Sequence, residues 1–94
     1  MRVKWLRAAI LSLVAETEFI ARDNPDAAVR VEASVRESVD QLSRFPALGR
    51  PGRVPGTREL VIPGTPYIIP YRVRRETLEV LQVFHGSRKW PERF

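Results

Sequence analysis

Polar and apolar side chains alternate over Arg2 to Trp5, with Val3 and Trp5 on one side and Arg2 and Lys4 on the other. That period of two predicts a short strand. The period then lengthens. Leu6, Ile10, Leu13, Val14, Thr17 and Ile20 recur at helical spacing with Ala8, Ala9 and Ala15 among them, while Glu16, Glu18 and Arg22 fall mostly off the stripe. A helix is expected from near Leu6 to near Arg22. Asn24-Pro25 interrupts it: Asn24 suits a helix N-cap, and Pro25 suits a first turn, where its missing N–H costs nothing. Ala28, Val31, Val35, Val39 and Leu42 then form a second stripe, with Arg30, Glu32, Arg36, Glu37 and Asp40 facing out. This predicts a helix from about Pro25 to Arg44. So short a link makes the two helices an antiparallel hairpin.

Prolines 46, 51 and 55 and glycines 49, 52 and 56 fill the stretch Phe45 to Gly56, which reads as an ordered loop. Arg58 to Ile62 is the next strand, with Leu60 and Ile62 on one face. Pro63-Gly64-Thr65-Pro66 is turn chemistry. Tyr67 to Arg74 follows as a strand with Tyr67, Ile69, Tyr71 and Val73 on one face. Pro70 inside it cannot donate to a ladder, so it requires an edge position or a bulge. Arg74 to Thr77 turns the chain. Leu78 to His85, apolar on both faces, is expected as one strand interior to the sheet. The order strand, helix, helix, strand, strand, strand describes an α+β domain over residues 1–94. A helix hairpin lies on one face of a mostly antiparallel sheet of about four strands, and the other face is partly open.

Ninety-four residues make one small core. Without cysteine there is no disulfide framework and no thiolate metal site. No apolar run approaches the roughly 18 residues of a membrane span, and no secretory signal opens the chain. A cytoplasmic protein without a membrane partner is expected. Charge changes the picture more. The acidic and basic residues of positions 1–49 balance, so the whole formal charge of +5 sits in positions 50–94. All but Lys4 and Lys89 of the 16 basic residues are arginine, which favours forked contacts to phosphate or carboxylate. A solvated basic face and an anionic partner both accommodate this pattern.

Leu81 to Pro91 concentrates the candidate chemistry. An apolar strand breaks at Gly86 into a polar segment that carries the single histidine, His85, with Arg88 and Lys89. No phosphate-binding glycine loop, His-Glu-x-x-His or Gly-x-Ser-x-Gly is present. Ser87 lies two residues from His85, but alternate positions of an extended chain are not expected to form a nucleophile pair. The acidic residues sit at salt-bridge spacing on the helices, which favours structural ion pairs over a metal cage. What remains is His85, Arg88, Lys89, Arg58, Arg72 and Arg74 on neighbouring strands, with Arg50 and Arg53 on the loop. Metal-independent RNA cleavage needs a proton acceptor, a proton donor and a cation on the phosphate, and histidine with arginine can supply these. The other reading is a strand-capping histidine beside arginines that are solvated or bind an acidic partner.

The residues also carry a family resemblance. The strand and helix hairpin, Phe45-Pro46-x-x-Gly49-Arg50-Pro51, Arg58-Glu59-Leu60, Pro66-Tyr67-x-x-x-Tyr71-Arg72-Val73 and Val83-Phe84-His85-Gly86-x-Arg88 together resemble the RelE/ParE superfamily of bacterial type II toxins. The resemblance covers nearly the whole chain. It implies a growth-arresting toxin without metal or organic cofactor, silenced in a hetero-oligomer by a cognate antitoxin, with Arg50, Arg53, Arg58, Arg72, Arg74 and Lys89 meeting either the target or an acidic antitoxin segment. It also implies one of two targets: the ribosome with its messenger RNA, which RelE-like members cut, or DNA gyrase, which ParE-like members poison. Arg88 falls where RelE-like toxins place a catalytic arginine, His85 falls near a histidine used by some ribosome-dependent members, and Arg58 stands near a lysine-bearing position. Against a nuclease, Ile68 replaces an arginine after the strand tyrosine, and Phe94 lacks the hydroxyl of a C-terminal catalytic tyrosine. A histidine and arginine after an apolar strand, and a long helix hairpin, occur in ParE-like toxins too. Gyrase poisoning is the favoured expectation, with RNA cleavage as the alternative.

Overall fold

The computed structural model describes residues 1–94. The elements run β1 (Arg2–Trp5), α1 (Arg7–Ala21), α2 (Pro25–Asp40), a 3-10 turn (Gln41–Ser43), β2 (Arg50–Pro51), β3 (Arg58–Val61), β4 (Tyr67–Arg74), β5 (Thr77–Val80) and β6 (Phe84–His85). The sheet is ordered β1-β5-β4-β3-β2, with β6 also on β4. Only β1 and β5 pair in parallel. The long connection that a parallel pair needs includes the helix hairpin. The α+β layering is as the sequence predicts, but the sheet is six-stranded. The two extra strands, β2 inside the proline-rich loop and β6 at the chain's end, are two residues each, too short to leave a periodic signal.

Local chemistry sets the helix boundaries. The Asn24 side chain accepts the Ala27 N–H at 3.0 Å, and Pro25 opens α2. Ala28, Val35, Val39 and Leu42 are buried as their spacing predicts. The inward stripe of α1 is rotated from expectation. Ala9, Leu13 and Glu16 are buried, while Ile10 and Val14 remain 49% and 45% exposed. Small Ala9 admits close approach to the sheet. Glu16 is tolerated inside because it finds polar partners there, as a buried carboxylate must.

The inner face of the sheet presents Leu60, Ile62, Tyr67, Ile69, Tyr71, Leu78 and Val80 to the helices. Val73, expected on that face, lies at the exposed end of β4. Pro70 selects the bulge rather than the edge. β4 lies between β3 and β5, and Ile69 and Pro70 stand opposite Leu81, Gln82 and Val83 in the interval between the pairs Tyr71–Val80 and Ile68–Phe84. One extra residue on the last strand is therefore absorbed there. This splits the expected strand Leu78–His85 into β5 and β6. The Pro70 carbonyl accepts the Leu81 N–H at 2.9 Å, and the Ser12 hydroxyl on α1 accepts the Val83 N–H at 2.8 Å.

The outer face is partly covered by the chain's end. Trp90 stacks on Phe84 at 4.5 Å between ring centroids, and the Arg53 guanidinium lies 3.8 Å from the Trp90 ring centre. No helix is long and apolar enough to cross a membrane.

Candidate functional site

The strand β6 ends in a tight turn. Gly86 N–H donates to the Pro66 carbonyl at 2.7 Å, and Arg88 N–H returns to the His85 carbonyl at 3.0 Å. A Cβ at Gly86 would meet Ile68 Cδ1 and the Pro66 oxygen at 3.3 Å, so the bare backbone lets the turn lie against β4. The turn overrides the expected separation of Ser87 from His85. Ser87 Oγ lies 2.7 Å from His85 Nδ1, and the Ser87 backbone N–H donates to the same nitrogen at 3.2 Å. Because a backbone N–H can only donate, Nδ1 is the acceptor, and the neutral ring carries its proton on Nε2.

Register places His85 opposite Tyr67, with the rings edge to face at 5.9 Å. Arg88 reaches α1, its Nη2 lying 2.7 Å from Glu16 Oε1. The Tyr67 hydroxyl donates to Glu16 Oε2 at 3.3 Å. Burial raises the Tyr67 pKa, and the Glu16 charge and hydrogen bond raise it further against the opposing charge of Arg88. Four side chains thus gather at one end of the inner face: Glu16, Tyr67, His85 and Arg88. The sequence flagged His85 and Arg88 and missed the other two. Tyr67 was findable as the partner of His85 across a hairpin. Nothing in its own neighbourhood marks Glu16, whose partners lie far along the chain.

The other flagged residues do not join this group. Arg72 and Arg74 project from the opposite face of β4, since Tyr67, Ile69 and Tyr71 occupy the inner one. Arg58 pairs with Tyr71 and His85 with Tyr67, four positions apart along β4 and on its opposite edges, roughly 13 Å at strand rise. Most of these flagged arginines have partners within the chain. Arg50 and Arg53 grip Glu59, each at 3.0 Å, and Glu59 is only 2% exposed. Burial alone would raise the Glu59 pKa. Hydrogen bonds from the Arg53 side chain and backbone and from Arg50 outweigh it and hold the pKa below the usual value. Arg58 donates to the Gly49 carbonyl at 2.8 Å. Arg72 pairs with Glu79 at 2.8 Å, and that hydrogen bond, aided by the charges of Arg72, Arg74 and Lys4, lowers the Glu79 pKa despite its partial desolvation. Arg74 and Lys89 are exposed and make no ion pair.

The helix hairpin laid on a mostly antiparallel sheet belongs, by its similarity to known proteins, to the RelE/ParE superfamily of toxins. The profile described as ParE toxin of type II toxin-antitoxin system, parDE, matches residues 3–90, and the chain belongs to that family. It is 46% identical over 91 residues, covering 97% of this chain and 94% of the relative, to "Putative toxin Y4kP" of Sinorhizobium fredii (strain NBRC 101917 / NGR234). Its fold superposes with a TM-score of 0.85 on a chain of the solved structure "Chromosomal ParDE TA system from P. aeruginosa". That match has 28% identity and covers 90% of this chain and 95% of the other. The protein is the toxin of a type II, ParDE-like toxin–antitoxin system.

Proposed function

We propose that this toxin arrests growth by acting on DNA gyrase and does not itself cut RNA. The observation that carries this reading is the ion pair of Arg88 with buried Glu16. A phosphate-stabilising arginine needs an uncommitted charge, and here a carboxylate already holds it. Ile68 brings only an apolar side chain beside the turn, and Phe94 has no hydroxyl to exchange a proton. In this reading, His85 and Arg88 shape a surface that meets the target. Toxin induction in cells tests it. Double-strand breaks and an SOS response with intact transcripts are expected, whereas codon-positioned transcript cuts without DNA damage would overturn the reading. His85→Ala is expected to lose toxicity while folding normally; Arg88→Ala also takes the cation from buried Glu16, so its loss of toxicity counts only where circular dichroism shows the chain still folded. Full toxicity in both would remove the turn from the target surface.

The antitoxin partner belongs on α1 in the same reading. Ile10, Leu11 and Val14 are about half exposed there, and Ile10 and Val14 border a hollow against Trp5 and α2. An apolar patch of this kind marks a partner surface. The internal pairing of Arg50, Arg53, Arg58 and Arg72 leaves fewer free cations for an acidic antitoxin segment than the sequence suggests. Val14→Glu is expected to weaken antitoxin binding at least roughly tenfold by calorimetry, since an unpaired charge would be buried at the contact. Unchanged affinity would move the antitoxin off this face.

A further inference from the structure

The sheet face turned away from the helices carries a basic hollow beside the β4–β5 turn, lined by Arg2, Lys4, Arg74, Arg75, Thr77 and Glu79. Strand register builds it. Arg2 and Arg74 flank Thr77 from the two neighbouring strands, and Lys4 and Arg72 flank Glu79 in the next row. Glu79 is committed to Arg72. Arg2, Lys4, Arg74 and Arg75 are exposed and have no carboxylate of their own. A second hollow shares Arg74 and adds Arg93, but Glu92, Val73 and Phe94 line it too and its Arg72 is paired with Glu79, so the free positive charge is concentrated in the first hollow.

The turn beside it is strained. Arg75 and Glu76 both adopt left-handed backbone conformations, with φ of 49° and 64°. They form the two-residue connection between Arg74 and Thr77, a turn that favours Asn-Gly. Larger side chains cost about 1–2 kcal/mol per residue in that region. An arginine kept at such a position gives up stability and sets one more cation on the rim of the hollow.

We propose that this face binds the phosphodiester backbone of nucleic acid. The surface is open, multiply cationic and rich in forked guanidinium donors, which match phosphate oxygens. No hydrophobic residue lines the hollow to receive the apolar side chains that a docking peptide uses for affinity. The inference goes beyond the gyrase reading and does not depend on it. DNA and RNA present the same backbone chemistry, so the test carries both.

Fluorescence anisotropy of the full chain with labelled duplex DNA and labelled single-stranded RNA, each of about 20 nucleotides per strand, from about 50 to 200 mM salt, tests the site. Binding of either nucleic acid is expected, with log K falling linearly against log salt. Arg74→Ala and Arg75→Asn should each weaken binding several-fold and reduce the slope by roughly one. Arg75→Asn should leave the melting temperature unchanged or raised, because asparagine tolerates the left-handed turn. A variant that folds better and binds worse cannot be explained by damage to the fold. The stronger binder of the two nucleic acids identifies the natural source. No binding of either at low salt, binding indifferent to both substitutions, or equal competition by a polyglutamate peptide would overturn the proposal.

Discussion

Gly49→Ala is expected to lower the melting temperature of the chain by roughly 12–24 °C. A Cβ at Gly49 would lie 2.6 Å from Tyr71 Cε1, 2.7 Å from its hydroxyl and 2.9 Å from the Glu59 carbonyl oxygen. Neither neighbour can yield cheaply. Tyr71 is completely buried in the core, and Glu59 belongs to β3, which is paired on both sides. The loop would have to move instead and would break what it is tied by. The Tyr71 hydroxyl accepts the Gly49 N–H at 2.8 Å and donates to the Pro46 carbonyl at 2.7 Å, while Arg58 holds the Gly49 carbonyl. Burial keeps the Tyr71 pKa raised against the Gly49 hydrogen bond and the Arg58 charge, so the hydroxyl stays protonated and able to donate. Overpacking against buried neighbours on this scale costs about 3 kcal/mol, a large share of the roughly 5–15 kcal/mol that stabilise a typical domain. Tyr71→Phe separates the hydrogen bonds from the collision. It leaves a buried N–H without a partner, for about 1–3 kcal/mol, or roughly 5–20 °C in melting temperature for a chain of this size. Thermal unfolding followed by circular dichroism checks both. A Gly49→Ala melting temperature equal to wild type would show that the loop is not fixed by Tyr71.

The same contacts explain which features were legible in the sequence. α2 was readable to within a turn because its start is local chemistry, Asn24 with Pro25, and its buried stripe has one period. β4 was readable because one of its faces is uniformly apolar, and β3 because Leu60 and Ile62 alternate with polar or exposed neighbours. Pro70 announced a disturbance of the ladder, and only the register of β4 against β5 and β6 identifies it as a bulge. What could not be read depends on residues distant in sequence. Glu16 turns inward because Tyr67 and Arg88 meet it there, and this rotates α1 enough to leave Ile10 and Val14 in solvent. Glu59 sits in an otherwise ordinary Arg-Glu-Leu strand and is buried because the proline-rich loop folds two arginines onto it. The basic excess of the second half therefore reads misleadingly as free charge. Part of it serves the fold, and two of its uncommitted cations, Arg74 and Arg75, lie at the β4–β5 turn.

Arg53→Ala is expected to cost about 2–4 kcal/mol, more than Arg50→Ala, although both arginines pair with the same carboxylate. Arg53 donates to Glu59 through its backbone N–H at 2.8 Å, Nε at 3.0 Å and Nη2 at 3.1 Å. Arg50 contributes Nη2 at 3.0 Å and a longer Nε contact at 3.3 Å. Removing the Arg53 side chain leaves a buried carboxylate with fewer donors and also takes the cation from the face of Trp90, which helps close the outer side of the sheet. The pH dependence has a definite sign. The Glu59 pKa is lower in the folded chain than in the unfolded one, so its contribution is complete above the unfolded value, near about 4.3. It declines as the pH falls through the folded value and is gone below it. Urea unfolding midpoints measured between neutral and acid pH should therefore fall more steeply for the wild type than for Glu59→Gln, which cannot titrate there. Parallel midpoints over that range would mean that the carboxylate gains nothing from its arginines in the folded state. The steeper wild-type decline, with Arg53→Ala already weakened at neutral pH, would place the junction of loop, sheet and C-terminal segment in this one ion-pair network.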